Sequence, residues 1–168
     1  MEYEIKIAVQ EDIEQISQVM EAIAEGMEAE DYFVSSDREY ISGHIEAEGV
    51  TYLVLDDDQI MGYLIIDIPG VQQRNLGYDI GLAKARLGGV AHMDTIVVVP
   101  EYRGHGLQKM LLHYGEQRMK ERGCTDLMAT VHPDNAASLK SLLGSGYEIR
   151  KTALKYNGYL RHILHKTI

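Results

Sequence analysis

Residues 97–110 read VVVPEYRGHGLQKM. The β-branched run Val97 to Val99 stops at Pro100, which cannot continue a strand ladder. Arg103, Gly104, His105 and Gly106 follow, and Leu107, Met110, Leu111 and Tyr114 then recur at helical spacing. The stretch therefore predicts a strand, a glycine-rich turn and a helix in direct succession. A helix start leaves several backbone N–H groups unpaired, and the helix dipole makes that end favourable to anions. Glycines let the main chain approach a phosphate closely, and Arg103 adds a charge-assisted donor. The loop is neither a P-loop, since no Gly-Lys-Ser/Thr follows, nor a dinucleotide fingerprint, since the third glycine is missing.

On either side of this stretch, the chain alternates strands and helices. Glu4 to Val9 alternates as a strand, and Gln10-Glu11-Asp12 opens a helix whose apolar face is Ile13, Ile16, Val19, Met20 and Ile23. Ser35-Ser36-Asp37 suits the cap of a second helix carrying Tyr40, Ile41 and Ile45 and ending at Gly49. Val50 to Asp56 and Gln59 to Ile68 flank an acidic turn and predict a hairpin. Residues 70–90 read as a long loop, with a short helix near Gly81 to Arg86. Ala91 to Val99 and Thr125 to Val131 are strands on either side of the helix that starts at Gly106. A capped helix from Asp134 or Asn135 runs to Leu143. Two last strands, Tyr147 to Lys155 and Tyr159 to Lys166, meet at Asn157-Gly158, a strong hairpin signal. The order β-αα-βββ-α-β-α-ββ predicts an α/β fold in one domain over residues 1–168, with a mixed sheet flanked by helices.

The 168 residues are 45% hydrophobic and 25% charged, which suits a packed globular chain. A net charge of −10 argues against nucleic acid as a partner. No apolar run approaches the about 18 residues of a membrane span, so no membrane association is expected. The acidic first residues, MEYEIKIAVQEDIE, lack an apolar signal core. The single cysteine, Cys124, excludes an intramolecular disulfide. Together these features predict a soluble, cytoplasmic protein, and no metal-ligand set is expected.

VVVPEYRGHGLQ resembles motif A of the GNAT N-acetyltransferase superfamily, an Arg/Gln-x-x-Gly-x-Gly/Ala loop after a strand and a proline. Arg103, Gly106 and Gln108 occupy the pattern, and Gln108 departs from it where glycine or alanine is usual. VHPDNAASLKSLLGSGYE resembles motif B, with Asn135 as the helix cap and Gly146-Tyr147 as the Gly-aromatic pair. The resemblance implies acetyl-coenzyme A as the acyl donor. The donor would lie along Ile96, Val97 and Val98, on the loop residues Arg103, Gly104, His105, Gly106, Leu107 and Gln108, and against Asn135 and Ser138. It also implies direct attack by an amine, with an oxyanion donor from the strand-four backbone near Val98.

The resemblance places the candidate bases at His92 and Asp94, two apart and so on one face of a strand. Leu142 stands where many members carry a tyrosine acid, which leaves the acid open among Tyr147, Tyr156, Tyr114, His132, His105 and water. The acceptor is expected to be a small-molecule or peptide amine. Asn75, Tyr78 and Asp79 of the long loop are candidate acceptor-binding residues, and Glu25, Glu28, Glu30 and Asp31 supply acidic charge nearby. Tyr78, Tyr156 and Tyr159 equally suit a homodimer interface. The alternative to an enzyme is a non-catalytic acyl-coenzyme A sensor on the same fold.

Overall fold

The computed structural model describes residues 3–26 and 37–168. Seven strands form one mixed sheet: β1 (Glu4–Ile7), β2 (Gly49–Asp56), β3 (Gln59–Asp67), β4 (Val90–Val98), β5 (Asp126–Val131), β6 (Glu148–Lys155) and β7 (Tyr159–Thr167). Their spatial order is β1-β2-β3-β4-β5-β7-β6. Among the described residues, only β4 and β5 run parallel; every other neighbouring pair is antiparallel. Among the described residues, four α-helices complete the fold: α1 (Ile13–Glu25), α2 (Arg38–Glu46), α3 (Leu107–Glu121) and α4 (Ala136–Gly144). The order of elements is the one the sequence predicts.

The sheet is covered on both faces, so its central strands read as nearly unbroken apolar runs. Along β3, Leu64 and Ile66 join α3's Leu107, Leu111, Leu112 and Met119 in one core. Tyr63 and Ile65 point the other way, into a second core with Ile16 and Met20 of α1 and Ile41 of α2. The segment between β3 and β4 covers what α1 and α2 leave open. Its Leu76, Ile80 and Leu82 pack on Val90, Met128 and Ile163, on β4, β5 and β7.

That segment is more ordered than a loop but holds no α-helix. In place of the helix expected at Gly81 to Arg86, it makes two 3-10 turns, Leu76–Tyr78 and Lys84–Gly89. Other boundaries move as well: β1 stops at Ile7 rather than Val9. Gly49 does not end α2 but opens β2, because Ala47 and Glu48 already close the helix onto the Gly43 carbonyl. The β6–β7 turn centres on Tyr156 and Asn157, both at positive φ, with the Gly158 N–H closing on the Lys155 carbonyl at 3.1 Å. Ser35 and Ser36 lie outside the described residues. Asp37 is the α2 cap, its carboxylate accepting from the Tyr40 N–H at 2.9 Å.

Candidate active site

The parallel pairing of β4 with β5 lasts for three positions only: Val90↔Asp126, Ala91↔Leu127 and His92↔Met128. Beyond them the strands part, for two reasons. On β4, Ile65 of β3 pairs with Thr95 while Ile66 pairs with Met93, so Asp94 is the extra residue of a β-bulge, which bends its strand. On β5, Ala129, Thr130 and Val131 follow β7, pairing with Leu164, Ile163 and His162. A groove of about 1260 Å³ opens between them, walled by residues 93–98 of β4 with Val99 after it, and by Ala129, Thr130 and Val131 of β5.

Arg103 and Gln108, on either side of the glycine loop, line this groove, while Gly104 and Gly106 themselves are not in its lining. Gly104 (φ +82°) and Gly106 (φ +76°) adopt left-handed conformations that side chains disfavour, and a Cβ at either would meet nothing within 4 Å. The loop therefore faces open space. No side chain caps α3; the Met110 N–H is the first to bond back, to the Gly106 carbonyl at 3.0 Å. The N–H groups at the helix start are thus available to an anion. Arg103 lines the groove, and its Nε donates to the Val98 carbonyl at 3.1 Å.

The main chain of β4 also addresses the groove. The Val99 N–H donates to Met61 of β3 at 2.9 Å. Strand alternation then turns the N–H groups of Val98 and Ile96 away from β3, toward the gap left by β5. Ile96, Val97, Val98, Gln108, Asn135 and Ser138 all line the groove. Asn135 accepts from the Ser138 N–H at 3.4 Å and so caps α4. The Leu107 side chain is buried in the α3 core, leaving only its backbone to face the loop, and His105 is exposed outside the groove lining. These residues fit the pyrophosphate and thioester arm of a coenzyme A molecule: unpaired N–H groups and an arginine at one end, a slot of free backbone along the strand.

Asp94 lies in the groove wall, reached by water yet crowded by protein. That crowding raises its carboxyl above the ordinary carboxylate range; the hydrogen bond donated by the Tyr40 hydroxyl of α2 opposes the rise without cancelling it. Tyr40 itself is pushed well above the usual tyrosine range, first by burial and then by the Asp94 charge. Tyr156 lines the same groove from the β6–β7 turn, its hydroxyl 3.0 Å from the Thr130 Oγ1. Burial lifts it to about 12, so it stays protonated at neutral pH.

His92 does not reach the groove. Its Nε2 accepts from the Leu76 N–H at 3.0 Å, which leaves the proton on Nδ1, 3.2 Å from the Asp67 carboxylate. Both ring nitrogens are therefore engaged, and the ring is 5% exposed. Asp67 also accepts from His44 of α2 at 2.9 Å and from Arg74 at 2.9 and 3.1 Å. Burial works against its charge, but these three donors outweigh it and hold the carboxyl well below the usual range. Burial likewise opposes a charge on His44. The Asp67 carboxylate and the Tyr40 carbonyl, 2.8 Å from its Nδ1, nevertheless raise its pKa.

The three loop residues expected at the acceptor pocket are not in the groove lining either. Asn75 is wholly buried and bonds the backbone of Gly70, Gly77 and Leu87. Tyr78 donates to the Val71 carbonyl, and Asp79 pairs with Lys155. Of the expected acidic residues, Glu25 is exposed at the end of α1, while Glu28, Glu30 and Asp31 lie outside the described residues. Sequence reasoning passed over Tyr40, read as part of an apolar helix face, and also His44 and Asp67. A signal was available for Asp67: it is a charge ending the apolar run of β3, a strand buried on both faces. Tyr147 and Tyr114, the other tyrosines considered for the acid, belong to the α3 core or pack against it. Leu142, at the position of the missing tyrosine, is buried and lines the groove.

The profile of the acetyltransferase (GNAT) family matches residues 13–144. No curated protein matches the sequence. Among solved structures, Arabidopsis thaliana NAA60 in complex with acetyl-CoA is similar over 99% of both chains, with TM-score 0.80 and 13% identity. The ribosomal-protein-S18-alanine N-acetyltransferase of Escherichia coli matches over 99% of this chain and 94% of its own, with TM-score 0.73 and 15% identity. The PaiA N-acetyltransferase of Thermoplasma acidophilum in complex with coenzyme A matches over 100% of both, with TM-score 0.72 and 18% identity. At these identities the likeness shows a shared fold. Among the described residues, no helix is long and apolar enough to cross a membrane.

Proposed function

The chain belongs to the GNAT acetyltransferase family, and from that premise we propose that it is an acetyl-coenzyme A-dependent N-acetyltransferase acting on a primary amine of a small molecule or a peptide. One observation carries the reading: the groove opened by the parting of β4 and β5 is lined both by Arg103 and Gln108, which flank the bare loop at Gly104 and Gly106, and by a carboxyl at Asp94. The loop and the start of α3 hold the pyrophosphate, with Arg103 as the charged donor. NAA60 and PaiA, whose solved structures carry acetyl-CoA and coenzyme A, share this fold, which supports the same use of the groove here.

Bound acetyl-coenzyme A supplies a thioester carbonyl that an amine attacks, forming a C–N bond and releasing the thiol. The chain's own residues manage charge and protons. Asp94 takes a proton from the incoming ammonium, and its raised pKa suits it to that task better than an ordinary carboxylate. The Val98 N–H, on the groove side of β4, donates to the carbonyl oxygen as charge gathers there. The second amine proton leaves with the thiolate through water. Tyr40 holds the Asp94 carboxyl, and Tyr156 walls the acceptor half of the groove. His92 becomes a positioning residue rather than the base. A carboxyl set into the groove favours catalysis over the passive sensor.

Calorimetric titration with acetyl-coenzyme A, followed by thiol release against a panel of amines, tests the proposal. Binding with amine-dependent thiol release is expected. Binding without release from any amine would favour the sensor, and no binding would overturn both.

A further inference from the structure

The segment between β3 and β4 is anchored along its length. Arg74 bonds Asp67 at its start, and Arg86 bonds Asp126 near its end, with Nε 3.3 Å from Oδ2. Between them, the Leu76 N–H is held by His92 and the Asp79 N–H by the Leu76 carbonyl, each at 3.0 Å. The segment is a fixed strap across β4, β5 and β7.

At its midpoint this strap reaches the β6–β7 turn. Both Asp79 oxygens accept from Lys155 Nζ, at 3.1 and 3.2 Å, and the side chains are only 20% and 24% exposed. Lys155 is the last residue of β6, and the next residue is Tyr156, whose side chain enters the groove. Tyr156 sits at φ +52°, which a tyrosine seldom adopts without contacts that hold it there. The hydroxyl has Thr130 on the groove side. One residue earlier, Lys155 is held by Asp79 of the strap.

We infer that the Asp79–Lys155 pair is a latch by which the strap positions Tyr156 in the acceptor half of the groove, making both members positioning residues for acceptor binding. The inference rests on the acetyltransferase reading for its consequence, though not for its geometry. A salt bridge this shielded from water resists screening better than a surface pair. It acts on the turn backbone one residue from Tyr156 and touches neither Asp94 nor the glycine loop.

The test compares Asp79→Lys, Lys155→Asp and the double exchange, with Asp79→Asn as the isosteric variant should a reversal unfold the turn. Two readouts are independent. One is amide hydrogen exchange at Gly158, whose N–H closes the turn. The other is thiol release from acetyl-coenzyme A with polyamines, free amino acids and peptides bearing a free amino terminus. Each reversal is expected to speed Gly158 exchange about tenfold. It is also expected to raise the KM of the best acceptor about fivefold, with kcat and acetyl-coenzyme A affinity unchanged. The double exchange restores both. Unchanged exchange in the single variants overturns the latch. Faster exchange with an unchanged acceptor KM overturns its role at Tyr156. A wild-type protein that releases no thiol with any amine overturns the acetyltransferase reading and the acceptor role with it, while the exchange rates still decide whether the strap holds the turn.

Discussion

The Tyr40 hydroxyl donates to the Asp94 carboxylate, joining α2 to the bulge of β4 at the wall of the groove. Tyr40 also stacks on His44, ring centroids 4.0 Å apart, and His44 bonds Asp67 beneath it. The residue proposed as base is therefore held by a helix that is itself fixed to a buried carboxylate.

Asp94→Asn should lower kcat/KM by about 10²–10⁴-fold, the usual value of a positioned base. Acetyl-coenzyme A affinity should not change, because Asp94 stands apart from the glycine loop. Calorimetry and steady-state kinetics on one preparation separate the two. A variant with full kcat/KM would remove Asp94 as the base.

The pH profile of kcat/KM should fall on its acid side above the ordinary carboxylate range, since only ionised Asp94 accepts a proton and its pKa is raised. The Tyr40 hydrogen bond favours the ionised form, so Tyr40→Phe should move that acid limb to still higher pH. A limb that shifts the other way, or not at all, would mean that Asp94 does not govern it.

Gly106→Glu should weaken acetyl-coenzyme A binding on the order of 100-fold, by setting a negative charge beside the pyrophosphate. Gly106→Ala should cost about 1–2 kcal/mol of stability from the left-handed backbone alone, since a Cβ there meets nothing within 4 Å. Titration with acetyl-coenzyme A and thermal melting distinguish the two effects. Normal binding by a folded Glu variant would dismiss the cradle.

Asp67→Ala should destabilise the protein by about 3 kcal/mol or more, because it leaves His44 and Arg74 without their buried carboxylate. The signs of the pH dependence follow from the shifts. Asp67 is lowered, so its stabilisation is present above the unfolded carboxyl pKa of about 3.9 and is lost as pH falls through its lower folded value. His44 is raised, so its contribution is complete below about pH 6.5 and fades as pH rises through its higher folded value. Denaturant midpoints should thus decline in the wild type as pH rises above about 6.5. They should be flatter there in His44→Gln.

His92 shows how much of the site could be read in advance. Its place on β4 was legible, and two-residue spacing put it on one face with Asp94. What it touches was not legible, because the Leu76 N–H and the Asp67 carboxylate come from the strap and from β3. The same holds for Asn75, Tyr78 and Asp79. The long loop suggested acceptor-binding residues, yet their polar groups satisfy the loop's own backbone and pair with Lys155 of β6. Tyr156, considered as one acid among several and as a dimer-interface residue, enters the groove because the turn centres one residue earlier than Asn157-Gly158 suggests.

The order of elements, the apolar faces of α1 and α3, and the bare loop at Gly104 and Gly106 follow from the sequence alone. Each depends on residues a few positions apart: the period of the apolar positions, a cap, a proline, a glycine at positive φ. Only the tertiary structure decided which acid enters the groove and what holds it. The bulge at Asp94 exists only in the register of β4 against β3, and the groove only where β5, paired with β7 throughout, loses its pairing with β4. Tyr40, Asp67, Asp94 and Tyr156 are far apart in the chain, and the sheet order together with the packing of α2 on the sheet brings them together.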